Sequence, residues 1–234
     1  MTRRWLFENT HNIRDLGGYA TLAGGETRWG VFLRSDEPVT LSLGEVARLR
    51  RHSITTVVDL RSVQEQEHRP CFLAGQEGFV YHHCPLNFVG KLPEQSHDMA
   101  AFYMAMLGDS ATVCRIIKAF AKASGGVLFH CAAGKDRTGI MAALLLALAG
   151  VPQNDIVADY QITHTYIQEM VRRFQKAGTS FPAWLGESRP EYMEGFLALF
   201  YEKFSSAEAF YLAIGVTQEE IDCIRTKFVC PERE

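Results

Sequence analysis

A strand, a loop and a long apolar helix follow one another near the middle of the chain. Gly125-Gly126 precedes the buried-strand pattern of Val127 to Phe129, the stretch HCAAGKDRTG follows, and residues 139–149 form an apolar run of helix length. Where a strand passes through a loop into a helix, free backbone amides and the positive end of the helix dipole converge on the concavity of the loop. This stretch therefore predicts an anion-binding loop in an α/β setting.

The alternation of strands and helices extends over most of the chain. Strands are predicted at Trp29 to Leu33, Ile54 to Leu60, Phe79 to Cys84 and Val127 to Cys131. Helices are predicted at Ser42 to Arg50 behind a Ser42/Glu45 capping box, after a second box formed by Ser62 and Glu65, and at Met99 to Leu107, Ala111 to Ala123 and Gly139 to Ala149. From residue 139 onward every strong pattern is helical.

These patterns predict an α/β fold with a central, mostly parallel sheet flanked by helices and a helical carboxyl-terminal half. The length suits a single domain over residues 1–234. Ligands of such sheets bind outside the carboxyl ends of the strands, which is where Cys131 is placed.

Composition argues against several classes of function. The net charge of −3 and the pI near 6.2 provide no general basic surface, so no nucleic-acid partner is predicted. The six cysteines are scattered, which favours reduced thiols in the cytoplasm over a secreted disulfide framework. The amino terminus lacks the apolar stretch of a secretory signal, and the apolar run over 140–151 is too short to span a bilayer. A soluble protein without an integral membrane segment is expected, and its oligomeric state is left open.

The loop supplies the groups that phosphoryl transfer needs. A thiol in the positive field of the loop ionises more readily, so Cys131 is the candidate nucleophile. The planar guanidinium of Arg137 can hold two phosphate oxygens, and Asp136 can protonate the leaving alcohol and then activate water. The candidate phosphate-binding residues are Ala132, Ala133, Gly134, Lys135 and Arg137. Together they predict two-step hydrolysis of a phosphomonoester through a cysteinyl-phosphate, with no metal and no cofactor.

Three other interpretations of the loop stay open. A sulfurtransferase also ends a strand in a cysteine loop that binds anions, although Asp136, Arg137 and Thr138 together suit phosphoryl transfer better. The second is a phosphate-binding module that has lost activity, against which the intact Cys131 argues. The third is a buried structural thiol beside a solvated charge cluster, since a short motif always carries a risk of chance occurrence.

HCAAGKDRTG resembles the signature loop of the cysteine-dependent protein tyrosine phosphatases, in particular their atypical bacterial branch. Further stretches agree with that branch, so the resemblance spans most of the chain. They are NIRDLGGY at 12–19, LRSDEP at 33–38, VVDLRS at 57–62, CPL at 84–86 and ADYQIT at 158–163. The resemblance implies the fold of these phosphatases.

The resemblance also implies roles for individual residues. By it, Cys131 is the nucleophile, Arg137 the phosphate clamp and Asp136 the general acid. Thr138 would hydrogen-bond the cysteine sulfur and help it leave, while His130 would help to keep the thiolate ionised.

The substrates that the resemblance implies are broad. Lys135 is similar to the lysine of phosphoinositide-active phosphatases, which adds lipid headgroups, phosphoserine and phosphothreonine to phosphotyrosine. The chain lacks the tryptophan, proline, aspartate run that forms a mobile acid loop in eukaryotic enzymes. Asp136 as the acid therefore rests on the atypical branch.

Charged residues outside the loop are expected to support it. Asp59 and Arg61 end the second predicted strand at the same edge of the sheet. A structural ion pair is one interpretation of them, and orientation of the loop or help with proton transfer is the other. Arg14 and Asp15 precede a Gly-Gly turn signal and are expected to brace a loop.

Five further residues have both a chemical and a structural interpretation. Asp98 and Asp109 are rival general acids, or helix caps and solvated side chains. His82, His83 and Cys84 look like a metal cluster, but neighbouring strand residues point to opposite faces, so no metal site is predicted. Cys84 is either a buried, inert thiol or a partner for the nucleophile in a protective disulfide.

A helical lid over the pocket is one interpretation of residues 165–204. A basic helix and two aromatic residues mark the segment, namely Arg172, Arg173, Lys176, Phe181 and Trp184. Such a lid would grip an aromatic or lipid substrate. The alternative is a helix connection that packs on the core.

Overall fold

Strands and helices alternate in the first half of the chain, and helices fill the second. The structure is a computed structural model that describes residues 2–88, 93, 95–176 and 186–231, except for the side chain of Gln175. The strands in these ranges are β1 Arg14–Asp15, β2 Glu26–Thr27, β3 Phe32–Ser35, β4 Ile54–Asp59, β5 Val80–His83, β6 Gly126–His130 and β7 Val229–Cys230. The helices are α1 Leu43–Arg51, α2 Val63–His68, α3 Met99–Met106, α4 Ser110–Lys122, α5 Asp136–Leu148, α6 Gln153–Lys176, α7 Pro190–Phe204, α8 Ala207–Ala213 and α9 Gln218–Phe228, with a 3-10 turn at Ser96–Asp98.

The central sheet has the strand order β1-β3-β6-β4-β5. Strands β3, β6, β4 and β5 run parallel, and β1 pairs antiparallel with β3, so the expectation of a mostly parallel sheet is confirmed. The register places Ser35, His130 and Asp59 side by side at the carboxyl ends of neighbouring strands. Cys131 therefore leaves the sheet from its central strand, at the edge where ligands of such sheets bind.

The two faces of the sheet pack against different layers, because successive strand residues point to opposite sides. One face packs on the helices α3 to α9 through Phe32, Val58 and Phe129. The other packs on α1 and the amino-terminal segment through Leu33, Val57 and Leu128. The helical carboxyl-terminal half is thus one layer of the fold, as predicted.

Helix caps follow the sequence signals closely. Both predicted capping boxes form, at the start of α1 and of α2. Asp109 accepts a hydrogen bond from the amide of Thr112 at 3.1 Å and caps α4, which confirms its structural interpretation. Each such cap contributes about 1 kcal/mol to stability.

Two predicted boundaries are wrong. The first strand does not cover Trp29 to Leu33 but runs from Phe32 to Ser35, because Gly30 has a φ of +76° and forms a turn. The helix predicted from Gly139 begins instead at Asp136, since the chain already turns at Gly134. Asp136, Arg137 and Thr138 consequently occupy the first turn of α5 and not a loop.

Arg14 and Asp15, which are expected to brace a loop, form the short strand β1. The bracing role is nevertheless present, since Asp15 accepts hydrogen bonds from the amides of Gly17 and Gly30 at 2.8 Å each.

Within the described ranges no single helix is long and apolar enough to cross a bilayer. By length and composition alone, the bent pair of helical segments Ser96–Met106 and Ser110–Lys122 is long and apolar enough to cross a bilayer.

Candidate active site

The signature loop, residues 130–139, runs from the end of β6 directly into α5. Its turn depends on Gly134, which has a φ of +66°. A Cβ atom at Gly134 would lie 2.5 Å from the carbonyl oxygen of Ser35, so no other residue fits without a shift of the backbone. Because α5 starts at Asp136, the positive end of its dipole faces the loop.

Three carbonyl groups of the signature loop are held from behind by distant parts of the chain. The oxygens of Ala132, Ala133 and Gly134 accept hydrogen bonds from Glu37 N at 3.1 Å, Asn12 Nδ2 at 2.9 Å and Arg34 Nη2 at 2.7 Å, respectively. In a trans peptide the N–H points opposite to the carbonyl oxygen of the preceding residue, so the amides of Ala133 and Gly134 face the other side of the loop, and neither donates to another described residue. Successive free amides of this kind form an anion-binding concavity.

A buried ion cluster supports the β3 side of the loop, and we call Arg14, Arg34 and Asp159 the Asp159 network. Asp159 accepts from Arg14 Nε at 2.9 Å and from Arg34 Nη1 at 2.5 Å, and all three side chains are almost completely buried. Burial opposes ionisation of Asp159, but the two arginines lower its pKa well below the usual range. Two cations against one carboxylate leave positive charge beneath the loop, which favours a bound anion.

A second cluster lies on the β4 side, and we call Asp59, Arg61, Glu37 and Arg69 the Asp59 network. The ion pair expected from the sequence is present, with Arg61 Nη2 2.7 Å from Asp59 Oδ2. Glu37 accepts from Arg61 at 2.9 Å and from Arg69 at 3.0 Å. Two cations face two carboxylates, so the Asp59 network adds no excess positive charge to the site.

His130 is fully buried next to the Asp59 network and directly precedes Cys131, the candidate nucleophile. Its Nε2 lies 3.6 Å from Asp59 Oδ2, and its Nδ1 lies 3.4 Å from the carbonyl oxygen of Cys131. Burial lowers the pKa of His130 to about 4, so the ring is neutral at pH 7. His130 therefore brings no positive charge to Cys131, and its implied role would have to rest on hydrogen bonding.

The sequence did not point to the strongest partner of Arg137, which is Glu65. The Nη1 and Nη2 atoms of Arg137 donate to the two Glu65 oxygens at 2.6 and 2.7 Å. Burial opposes ionisation of Glu65, but the bond to Arg137 lowers its pKa to about 2. The ring of Phe88 lies 4.9 Å from the guanidinium group. The Nε atom of Arg137 is buried and bonds to no described residue, which leaves it available to an anion.

Asp136, the predicted general acid, is contacted on one carboxylate oxygen. Tyr103 donates to Asp136 Oδ1 at 2.5 Å, and Lys135 Nζ lies 3.3 Å from the same atom. Lys135 is almost fully buried and also donates to the carbonyl oxygen of Glu187 at 2.9 Å. The ammonium group therefore contacts both the candidate acid and the segment that leads into α7.

Cys131 and Thr138 are both buried at the base of the loop. Thr138 Oγ1 bonds to no described residue, so the implied hydrogen bond to the cysteine sulfur is not formed in this structure and stays a prediction. Cys84 and Cys131 are free thiols. Burial raises the pKa of Cys84, as expected for its interpretation as an inert thiol.

The other candidates lie apart from this chemistry. Asp98 is half exposed and lies 3.2 Å from His97, as a solvated residue at the start of α3. His83 Nε2 lies 2.9 Å from the carbonyl oxygen of Arg61. Within the described ranges no group of three or more His, Cys, Asp or Glu side chains is arranged to hold a metal ion.

The predicted lid is described in part. Arg172 and Arg173 lie near the end of α6, and the Arg173 side chain is 68% exposed. A cleft of about 420 Å³ is lined by one face of α6 and by residues 187–190. Phe181 and Trp184 lie outside the described residues, so the choice between a lid and a packed connection stays a prediction.

The central strand β6 leads directly into Cys131, a turn at Gly134 and Arg137 in the first turn of the next helix, which is the order of groups on which the resemblance to the protein tyrosine phosphatases rests. Residues 5–230 match the tyrosine phosphatase family. A tyrosine-protein phosphatase of Nostoc commune is 30% identical over 212 residues, which cover 80% of this chain and 72% of the relative. The triple specificity protein phosphatase PtpB of Mycobacterium tuberculosis is 29% identical over 203 residues, covering 70% of this chain and 71% of PtpB.

Among solved structures, TpbA of P. aeruginosa is similar with a TM-score of 0.42 and 18% identity, and the match covers 79% of this chain and 86% of TpbA. The family match extends over nearly the whole chain. The chain belongs to the tyrosine phosphatase family.

Proposed function

We propose that this protein hydrolyses phosphomonoesters without a metal ion, through a cysteinyl-phosphate on Cys131. The observation that carries the proposal is a set of unsatisfied donors around the thiol. The amides of residues 132–134, Arg137 Nε and Thr138 Oγ1 bond to no described residue. A bound phosphate has the oxygen atoms and the negative charge that such donors need.

The first chemical step forms the intermediate. The Cys131 thiolate attacks phosphorus, the bond from phosphorus to the ester oxygen breaks, and Asp136 gives its proton to the departing oxygen. Arg137 and the loop amides stabilise the charge on the three remaining phosphate oxygens. Arg137 is held for this task by Glu65 and stays charged at all working pH values.

The second step releases phosphate. Water attacks the phosphorus of the cysteinyl-phosphate and passes a proton to the Asp136 carboxylate, while the bond from sulfur to phosphorus breaks. Cys131 leaves as a thiolate, and Thr138 would donate a hydrogen bond to it. The products are inorganic phosphate and an enzyme with the protonation state that it had at the start.

Phosphotyrosine is the first proposed substrate, since the relatives are tyrosine phosphatases. The name of PtpB supports a wider range, so phosphoserine, phosphothreonine and phosphoinositides are proposed beside it. The buried ammonium of Lys135 supports an anionic substrate, whether this is a phosphoprotein or a phosphoinositide. The six free cysteines support a reducing compartment, and we propose the cytoplasm.

The test measures phosphate release from a phosphotyrosine peptide, a phosphoserine peptide and phosphoinositides in the presence of a metal chelator. Release should survive chelation and disappear in Cys131→Ser, whereas Cys223→Ser, which removes an exposed and remote thiol, should behave like the wild type. Mass spectrometry of the acid-quenched enzyme should show a phosphate adduct on Cys131.

Three results would contradict the proposal. Release that needs a metal, or that persists in Cys131→Ser, would exclude the cysteine mechanism. Phosphate binding without turnover by the reduced, folded wild type would indicate a binding module that has lost activity. Transfer of sulfur from thiosulfate to cyanide, without phosphate release, would indicate a sulfurtransferase.

A further inference from the structure

Two buried tyrosines from different helices lead to the candidate acid. Tyr103 of α3 donates to Asp136 Oδ1 at 2.5 Å, and the hydroxyl oxygens of Tyr103 and Tyr160 of α6 are 2.6 Å apart. Both side chains are almost completely buried. Neither tyrosine belongs to the signature loop, so three separate helices converge on a single carboxylate.

The proton count gives the chain of hydrogen bonds a direction. A phenol has one proton to donate, and that of Tyr103 goes to Asp136, so Tyr103 must accept from Tyr160. Burial, with the charge of Asp136 adding to it, raises the pKa of both hydroxyl groups well above the ordinary value. Both phenols therefore keep their protons, and the order Tyr160, Tyr103, Asp136 holds at neutral pH.

The two oxygens of Asp136 are not equivalent. Lys135 Nζ lies 3.3 Å from Oδ1, the same atom that accepts from Tyr103. A carboxyl proton on Oδ1 would compete with the Tyr103 proton and face the ammonium group. The proton of the acid form therefore belongs on Oδ2, the oxygen that does not accept from Tyr103.

We propose that Tyr103, held in place by Tyr160, is a positioning residue that fixes Asp136 Oδ1 and so presents Oδ2 to the leaving group. The proposal rests on the proposed function, because it concerns the proton that Asp136 gives in the first step. Tyr103 itself does not contact the reacting atoms; it acts through the orientation of the carboxyl group.

The packing around the tyrosines explains how so short a chain of bonds is kept in place. A Cβ atom at Gly139 would lie 3.0 Å from the Tyr160 ring, so the last glycine of the signature loop makes room for that ring against α5. The Tyr103 ring meets Tyr160 edge to face at 6.1 Å and Phe196 at 6.2 Å. The rings are therefore fixed before the substrate binds.

The test compares leaving groups of different basicity. Phenolate is a poor leaving group that needs a proton, whereas p-nitrophenolate leaves almost without one. Tyr103→Phe should lower kcat/KM for phenyl phosphate about tenfold and that for p-nitrophenyl phosphate about twofold or less. Tyr160→Phe should show the same pattern with a smaller loss. Tyr211→Phe is the matched control, because it removes a buried hydroxyl that bonds to no described residue.

A double-mutant cycle separates positioning from a general structural effect. In an Asp136→Asn background the proton donor is gone, so Tyr103→Phe should cause no further loss with phenyl phosphate. With Asp136 intact, the high-pH limb of the plot of kcat against pH should shift in the Tyr103→Phe single variant. It should not shift in the Tyr211→Phe single variant. Circular dichroism and thermal unfolding verify that every variant is folded.

The possible outcomes distinguish a failure of the positioning role from a failure of the proposed function on which it rests. Equal losses with both esters, or a further loss in the Asp136→Asn background, would overturn the positioning role while leaving the phosphatase intact. A Tyr103→Phe variant with the same kcat/KM as the wild type for both esters would also overturn the positioning role and leave the phosphatase intact. Absence of phosphate release from the wild type would instead refute the proposed function.

Discussion

The Asp159 network and the Asp59 network flank the same loop but differ in charge and in what they hold. The Asp159 network has one more cation than carboxylates, and its Arg34 donates directly to the carbonyl oxygen of Gly134. The Asp59 network is balanced, and its side chains tie the ends of β4 to the segment after β3. The comparison teaches that a side chain of the Asp159 network bonds to the loop directly, whereas the side chains of the Asp59 network stabilise the scaffold around it and the loop is met there by the backbone amide of Glu37.

The difference follows from where each carboxylate originates. Asp159 comes from α6, far along the chain, and gathers two arginines from β1 and β3 under the loop. Asp59 stands at the end of its own strand, two residues from Arg61. The local pair forms with little rearrangement of the chain, while the Asp159 network requires the helical layer to dock on the sheet. Breaking each network in turn should therefore have unequal consequences.

The largest effect is expected for Asp159→Asn. It leaves two buried arginines without a carboxylate, and breaking a buried ion pair costs about 3–5 kcal/mol. Asp59→Asn should cost less, because Arg61 keeps Glu37 as a partner at 2.9 Å. Urea unfolding of the two variants and the wild type measures the difference. Equal losses, or a larger loss for Asp59→Asn, would show that the networks do not differ as described.

A second effect concerns pH and the histidine beside the Asp59 network. Because burial lowers the pKa of His130 to about 4, the unfolded chain binds its proton near pH 6.5 and the folded chain does not. Stability should therefore fall as the pH falls from about 6.5 to 4, by up to roughly 3 kcal/mol. His130→Asn should flatten this slope, and His97→Gln, at a side chain that is 71% exposed, should not. A slope that is unchanged in His130→Asn would contradict the assignment.

Much of this arrangement could be predicted from the sequence, for reasons that are local. Capping boxes, strand-length apolar runs and the order of groups in HCAAGKDRTG are all encoded within a few residues. Trp29 misled the strand prediction because its aromatic ring favours a strand, while the turn was set by Gly30. The strand order could not be derived, because hydrophobic periodicity does not say which strands are neighbours.

The missed residues of the site share one property, their distance along the chain from the loop. Glu65 was recognised as half of a capping box, and the same carboxylate also clamps Arg137. Asn12 and Asp159 lie in NIRDLGGY and ADYQIT, stretches that carried the resemblance without a role for these side chains. Tyr103 had no signal beyond its place in an apolar helix. Such contacts arise only when segments that are far apart along the chain fold together.

The third prediction tests whether the two networks differ in their effect on phosphate binding. Arg34→Lys keeps a cation beside Asp159 but loses the planar fork that also reaches the Gly134 carbonyl oxygen, so the loop amides should be less well ordered. We expect an about tenfold weaker affinity for inorganic phosphate, which is about 1.4 kcal/mol. Arg61→Lys should change that affinity about twofold at most, although it lowers stability. Competitive inhibition by phosphate measures both, and a larger change for Arg61→Lys would reverse the assignment.

The smallest expected effects come from two tyrosines that each donate to one of the carboxylates. Tyr81 donates to Asp59 Oδ2 at 2.8 Å, and Tyr19 donates to Asp159 Oδ1 at 3.2 Å. Tyr81→Phe should cost about 1 kcal/mol, and Tyr19→Phe less, since its bond is longer and Asp159 retains two arginines. Neither should alter phosphate affinity more than about twofold, because neither hydroxyl contacts the loop. Thermal unfolding with phosphate titration measures both quantities. A loss of phosphate affinity in Tyr81→Phe would mean that the Asp59 network also shapes the anion site, and that the division between the two networks is one of degree.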